Sequence, residues 1–140
     1  TPAVTVFKTD TALPRLMTEN DWFDVDVITC AAPNLRLRST NRYNPADGDA
    51  VRVSDKDLLL LHEKKLRRML DVAVMEGAET IILGAFGCGA FCNNPEVVAL
   101  ANKNVIKDYL HAFKNIEYAV YCSPGDDRNY RIFERVLRLV

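Results

Sequence analysis

The run from Thr80 to Glu96, TIILGAFGCGAFCNNPE, sets the tightest limit on what this chain can fold into. Four strand-like residues, Thr80, Ile81, Ile82 and Leu83, lead into three glycines, Gly84, Gly87 and Gly89, and Asn93, Asn94 and Pro95 then open a helix. Asparagine before a helix can accept an orphan amide, and proline in the first turn loses no hydrogen bond. A strand that turns through small residues into a helix start also makes a place for an anion. Glycine lets the backbone approach a ligand closely and take positive φ, and the free amides and dipole of a helix start favour phosphate oxygens. A ligand containing a diphosphate is the first class implied.

The remaining periodicity alternates between strand and helix, which reads as α/β. Strands are expected over residues 3–8, 26–32, 80–85 and 116–122, with a short connector holding Trp22 and Phe23 between the first two. Ser54, with Asp57 three residues on, caps a helix to about residue 76 with an apolar face of Leu59, Leu66, Leu70, Ala73 and Val74, and Gly77 ends it. A second helix is expected over 95–113, through Val98, Ala101, Val105, Tyr109 and Phe113. A third carries Ile132, Phe133, Val136, Leu137 and Val140. Two successive strand–helix units imply parallel neighbours joined right-handedly, so the glycine loop and residues 123–130 belong at one edge of the sheet, where such folds hold ligands. Residues 34–54 form a long polar loop with Asn44–Pro45 and Asp47–Gly48 as turns. Its cluster of Arg36, Arg38 and Arg42 is either a solvated surface or a phosphate contact.

Composition narrows the function classes. With 140 residues, 49% of them hydrophobic, the chain is expected to form one domain, residues 1–140, with a real core. Eighteen basic and nineteen acidic residues leave a net charge of −1, which disfavours nucleic acid held by bulk charge. No apolar run approaches the roughly 18 residues that a membrane helix needs. No signal segment opens the chain, whose first residue is Thr1, and it reads as a piece of something longer. Cys30 and Cys122 sit in apolar runs and read as small buried hydrophobes. Cys88 and Cys92 lack the partners of a zinc site, and nothing demands disulfides, so a reducing cytoplasm is the expected location and no metal or cofactor is implied.

The glycine loop fails several known patterns. A Walker loop requires Gly-Lys-Ser/Thr, where Gly89 is followed by Ala90 and Phe91. The dinucleotide fingerprint would put its third glycine at Cys92. A nucleophile elbow around Cys88 would need glycines where Phe86 and Ala90 stand, and neither His62 nor His111 is placed to serve as its base. A turn that only allows tight strand-to-helix contact is the plain alternative to a ligand loop.

Three segments together, DVDVITCAAPN (24–34), the glycine run (80–96) and YAVYCSPGD (118–126), resemble the microbial-type poly(ADP-ribose) glycohydrolase family, in its C-terminal portion. The resemblance implies a macrodomain-like, three-layer α/β/α fold with a mostly parallel sheet, here incomplete at its N-terminal side. It implies that Gly87, Cys88, Gly89 and Ala90 offer amides to a diphosphate and that Phe91 packs against the distal ribose. Asn93 joins the ligand set, with helix capping as the competing role. Ser123, Pro124, Asn129 and Tyr130 would border the adenosine. ADP-ribose or poly(ADP-ribose) is the implied partner, and polymer, protein-linked mono-ADP-ribose and a free derivative fit alike.

The same resemblance points to a gap. The family's catalytic signature, Gly-Gly-Gly followed by Gln-Glu-Glu, precedes the matching region, and this chain has neither a Gly-Gly pair nor any glutamine. One glutamate of that signature acts as general acid on the ribose–ribose bond. No catalytic residue is therefore assigned, and the chain alone is expected to be inactive. A missing N-terminal part would leave an open edge or apolar face, to be covered by that segment or by self-association. The alternative function is a non-catalytic ADP-ribose or nucleotide-binding module.

Overall fold

A computed structural model of the chain describes residues 1–37 and 52–138. Arg38, Arg42, the two expected turns at 44–45 and 47–48, and Val140 lie outside the described residues. Contacts divide the chain into two compact units, Thr1–Cys30 and Ala31–Val140.

The first unit is a small antiparallel ribbon. Strand β1 (Val4–Val6) pairs with β2 (Phe23–Val25), Val4 opposite Val25 and Val6 opposite Phe23. A single 3-10 turn, Glu19–Asp21, leads into β2, and Thr5 Oγ1 donates to Asp24 across the pair at 2.7 Å. The expected strand over 26–32 is not formed: the strand lies earlier, and residues 26–36 have no regular structure. A strand exists only through its ladder, and among the described residues no ladder forms over 26–32. Beyond β2, Val27 exchanges two 2.8 Å hydrogen bonds with Thr1. None of residues 1–30 is buried, so the one expected domain has its core only in the second unit.

That unit begins with α1 (Asp55–Met75), capped as its sequence indicates by Ser54 Oγ accepting from the Asp57 amide at 3.1 Å. Its buried stripe is Leu58, His62, Leu66, Leu70 and Ala73. Two expected positions were out of phase: Val74 is exposed and Leu59 only half-buried. The run Leu58–Leu61 offers several starting phases, and a histidine inside the stripe disguises the right one. Gly77, at φ +72°, closes the helix while Ala78 N donates to Ala73 O at 3.0 Å.

Strands β3 (Thr80–Leu83) and β4 (Asn115–Tyr118) pair in parallel, Ile81 opposite Ile116 and Leu83 opposite Tyr118. Between them runs α2 (Pro95–Ile106), and α3 (Arg128–Leu137) follows β4. Helix α2 stops short of the expected residue 113. Its last turns tighten into i−3 bonds, with Asp108 N on Val105 O and Tyr109 N on Ile106 O, although Phe113 still reaches the core. Strand β4 likewise ends before the expected residue 122, since β3 offers no ladder beyond Leu83.

The core is one-sided. Ile81, Leu83 and Ile116 meet Leu66, Leu70, Ala73, Val105, Ile106 and Phe113 of the helical layer and the segment after α2. Tyr118 joins Val98, Ala99 and Phe133, the last 2% exposed. The alternate residues point away, with Ile82 65% exposed. Helices thus cover one face of the β3–β4 ladder. This is the mixed α/β arrangement that the sequence implies, present as a partial fold. No helix among the described residues is long and apolar enough to cross a membrane.

Candidate functional site

Because β3 and β4 are parallel, the segments that follow them leave from the same edge. Ala119 N donates to Leu83 O at 2.8 Å, and a Cβ on Gly84 would stand 3.3 Å from Ala119 O, so the glycine permits close approach of the two chains. The loop then folds on itself. Phe86 N donates to Gly84 O, Cys88 N to Ala85 O, Cys92 N to Gly89 O and Asn93 N to Gly87 O, at 2.8–3.0 Å. The amides of Gly87, Gly89, Ala90 and Phe91 donate to nothing among the described residues, and Gly89 and Ala90 are exposed. Such a row of unspent donors suits an anion. The amide of Cys88, expected beside the diphosphate, closes a turn on Ala85 O.

Asn93 holds this loop from behind. Its side-chain Nδ2 lies 2.7 Å from Pro33 O, 3.0 Å from Gly87 O and 3.2 Å from Phe91 O. Its Oδ1 lies 2.9 Å from His62 Nε2 on α1, and the residue is 2% exposed. The three carbonyls fix which end of the amide is nitrogen, so Oδ1 faces His62 and the imidazole donates through Nε2–H. The side chain of Asn93, a residue expected in the ligand set, bonds within the protein and shapes the loop. Helix capping falls to Asn94, whose Oδ1 accepts from Glu96 N at 3.1 Å. Gly87 is required here: at φ +80°, a Cβ would come 2.7 Å from Asn93 Nδ2 and 2.8 Å from Ala32 Cβ.

His62 is 2% exposed, and burial lowers its pKa, with the Asn93 bond working against the shift and Lys65 with it. The ring meets Phe86 edge-on at 5.7 Å. Phe91 is half-buried, and the guanidinium of Arg36 lies over its ring, Cζ 5.5 Å from the centroid. Leu35 N donates to Phe91 O at 3.0 Å and Pro33 O accepts from Asn93, so the segment leading into Arg36 is tied to the loop.

Burial pushes the Cys88 thiol up to about 12. It stays protonated at neutral pH, which suits a packed side chain and not a nucleophile. Cys122, expected to be buried, is exposed because β4 ends four residues earlier, and Cys30 is half-buried outside any strand. Ser123 and Asp126 form a tight turn through Gly125 at φ +86°. Ser123 and Pro124 are exposed there, and Tyr130 is 45% exposed at the start of α3. Beside it, the buried Oδ1 of Asn129 accepts no hydrogen bond.

Sequence reasoning left His62 without a role and gave Arg36 no particular partner. For His62 a signal existed: spacing of four residues back from Leu66 places it in an otherwise aliphatic stripe. For the Arg36–Phe91 stack, 55 positions apart, no local pattern exists.

No protein-family model and no curated protein matches the chain. Solved structures do. The poly(ADP-ribose) glycohydrolase of Deinococcus radiodurans in complex with ADP-ribose is 26% identical, with a TM-score of 0.77 over 98% of this chain and 50% of that one. The poly(ADP-ribose) glycohydrolase of Thermomonospora curvata is also 26% identical, with a TM-score of 0.78 over 97% of this chain and 45% of that one. The chain thus has the macrodomain-like fold of the microbial poly(ADP-ribose) glycohydrolases, and it spans about half the length of those solved chains.

Proposed function

We propose that this chain supplies the diphosphate and distal-ribose half of an ADP-ribose site, within a poly(ADP-ribose) glycohydrolase-like hydrolase that cleaves ribose–ribose glycosidic bonds. The observation that carries the reading is the loop itself. Four amides, of Gly87, Gly89, Ala90 and Phe91, are left unspent among the described residues at the carboxyl edge of β3. Asn93 keeps the loop open from below, in a fold shared with an enzyme solved with ADP-ribose bound. Cys88 contributes no amide to the diphosphate, and Asn93 acts by holding Gly87 and Phe91. The Phe91 ring limits how the distal ribose sits.

Ser123, Pro124, Asn129 and Tyr130 leave the same sheet edge and border the adenosine. The general acid comes from outside these 140 residues. In this region the first carboxylate after the loop, Glu96, is bonded to Arg135 on α3 and is not free to protonate a leaving oxygen. The second reading is a non-catalytic ADP-ribose-binding module.

Titration with ADP-ribose, followed by backbone-amide NMR with AMP and ribose phosphate as controls, tests the site. Saturable shifts centred on residues 87–94 are expected, and a folded chain without such shifts rejects the reading. Release of ADP-ribose from polymer separates the two functions: the chain alone is expected to give none, while the protein with the acid-bearing segment turns over. A full-length protein that binds without turnover is the non-catalytic module.

A further inference from the structure

The loop that is to hold a doubly charged diphosphate contains no charge of its own, since no residue from 84 to 95 is ionisable as a cation or a carboxylate. Charge reaches it from elsewhere. Residues 33–36 are bound to the loop at Pro33 O and Leu35 N, and they lay the Arg36 guanidinium on Phe91. Arg36 Nε donates to Asn34 Oδ1 at 3.1 Å, and the Arg36 amide reaches the same oxygen at 3.4 Å. One of five guanidinium donors is thereby spent and four remain. No carboxylate among the described residues pairs with Arg36. A half-buried cation, set over an aromatic ring and bonded to an asparagine but without a carboxylate partner among the described residues, lies on the same loop as amides that donate to nothing among those residues.

We propose, on the basis of the ADP-ribose reading, that Arg36 is the charged member of this anion site. Its terminal Nη atoms bind diphosphate oxygens, while the Nε–Asn34 bond and the stack on Phe91 hold the fork in place. The same ring then touches the distal ribose, so that one aromatic couples recognition of the sugar to recognition of the charge. A lysine could not replace it, having neither the planar face nor the second donor arm.

The test compares the unchanged chain with Arg36→Gln and Arg36→Lys, titrated with ADP-ribose and with inorganic pyrophosphate at low and at physiological salt. Arg36→Gln is expected to weaken ADP-ribose binding about tenfold to a hundredfold, the range of a charge-assisted hydrogen bond, and to flatten its salt dependence. Arg36→Lys keeps the salt dependence and recovers only part of the affinity. Pyrophosphate follows the same order. Wild-type affinity and salt dependence in Arg36→Gln overturn the assignment and leave the ADP-ribose site standing. A loss that is equal at both salt concentrations, with the slope unchanged, also overturns it, because loop shape and not charge is then responsible. Absence of ADP-ribose binding by the unchanged chain overturns both.

Discussion

The imidazole Nε2 of His62 lies 2.9 Å from Oδ1 of Asn93, joining the middle of α1 to the end of the glycine loop inside the core. The carbonyls of Pro33, Gly87 and Phe91, gathered to a single nitrogen, fix the orientation of the Asn93 amide, and the bond to His62 holds its other end. Replacing Asn93 by Asp keeps the shape and turns the donor into a second acceptor facing three carbonyl oxygens. The expected cost is about 3 kcal/mol or more of folding stability, from unsatisfied buried groups and their mutual repulsion. Asn93→Ala, which removes the repulsion but leaves the carbonyls unpaired, is expected to cost less than Asn93→Asp. Denaturant unfolding of the two variants checks the order, and a smaller loss for Asn93→Asp would show that the amide is not the organising group.

Burial of the same histidine makes the fold sensitive to acid. His62 has its pKa lowered from 6.5 by burial, with Lys65 adding to the shift and Asn93 opposing it, and the ring's other neighbour is the edge-on Phe86. Between the folded value and 6.5 the unfolded chain binds a proton that the folded chain does not, so stability rises with pH in that window. The contribution is complete above 6.5 and is lost as pH falls through the lowered folded value. His62→Gln keeps a donor for Asn93 without the titration. Unfolding free energies measured at about pH 7 and about pH 5 are expected to fall less for His62→Gln than for the unchanged chain. Equal losses would place the acid sensitivity elsewhere.

Three glycines separate fold from binding. Gly87→Ala meets both a positive φ and two close atoms, at 2.7 and 2.8 Å, and is expected to cost several times the roughly 1 kcal/mol of backbone strain alone. Gly125→Ala, with φ +86° and nothing within 4 Å, carries only that strain. Gly89→Ala meets neither obstacle and is expected to leave stability within about 0.5 kcal/mol. Its new methyl stands at an exposed amide of the proposed anion site, so ADP-ribose affinity is expected to drop while the melting temperature does not. Unchanged affinity in Gly89→Ala would take this residue out of the site.

These particulars show what was legible in the sequence. The strand, loop and helix from Thr80 onward were readable because each step has a local cause: an apolar run, glycines, an asparagine cap and a proline. The Ser54 cap and the Gly77 stop were readable for the same reason. The strand expected at 26–32 was misread because a strand depends on a neighbour distant in sequence, and apolar residues such as Val27 and Ile28 look alike with or without one. Asn93 was placed near the ligand because it follows the glycines. Only its bonds to His62 and Pro33, 31 and 60 residues away, reveal that it faces inward. The turn closed by the Cys88 amide was not legible, since no pattern of residue types shows which amide of a loop closes its own turn.

The outward face of the β3–β4 ladder gives the last prediction. Ile82 is 65% exposed in the middle of β3, the alternate position of a strand whose other face is covered by helices. An aliphatic side chain in that position of an α/β sheet is ordinarily covered by a second layer. The chain spans about half the length of the solved glycohydrolases it matches, and the remainder of such a fold is the proposed cover, with self-association as the substitute when the chain is alone. Ile82→Lys is expected to leave the melting temperature of the chain within a few degrees, because the substituted side chain meets solvent, and to reduce its association in light scattering at high concentration. A compact monomer for the unchanged chain at high concentration rejects the need for a cover. Strong destabilisation by Ile82→Lys would show that this face is already packed within the chain.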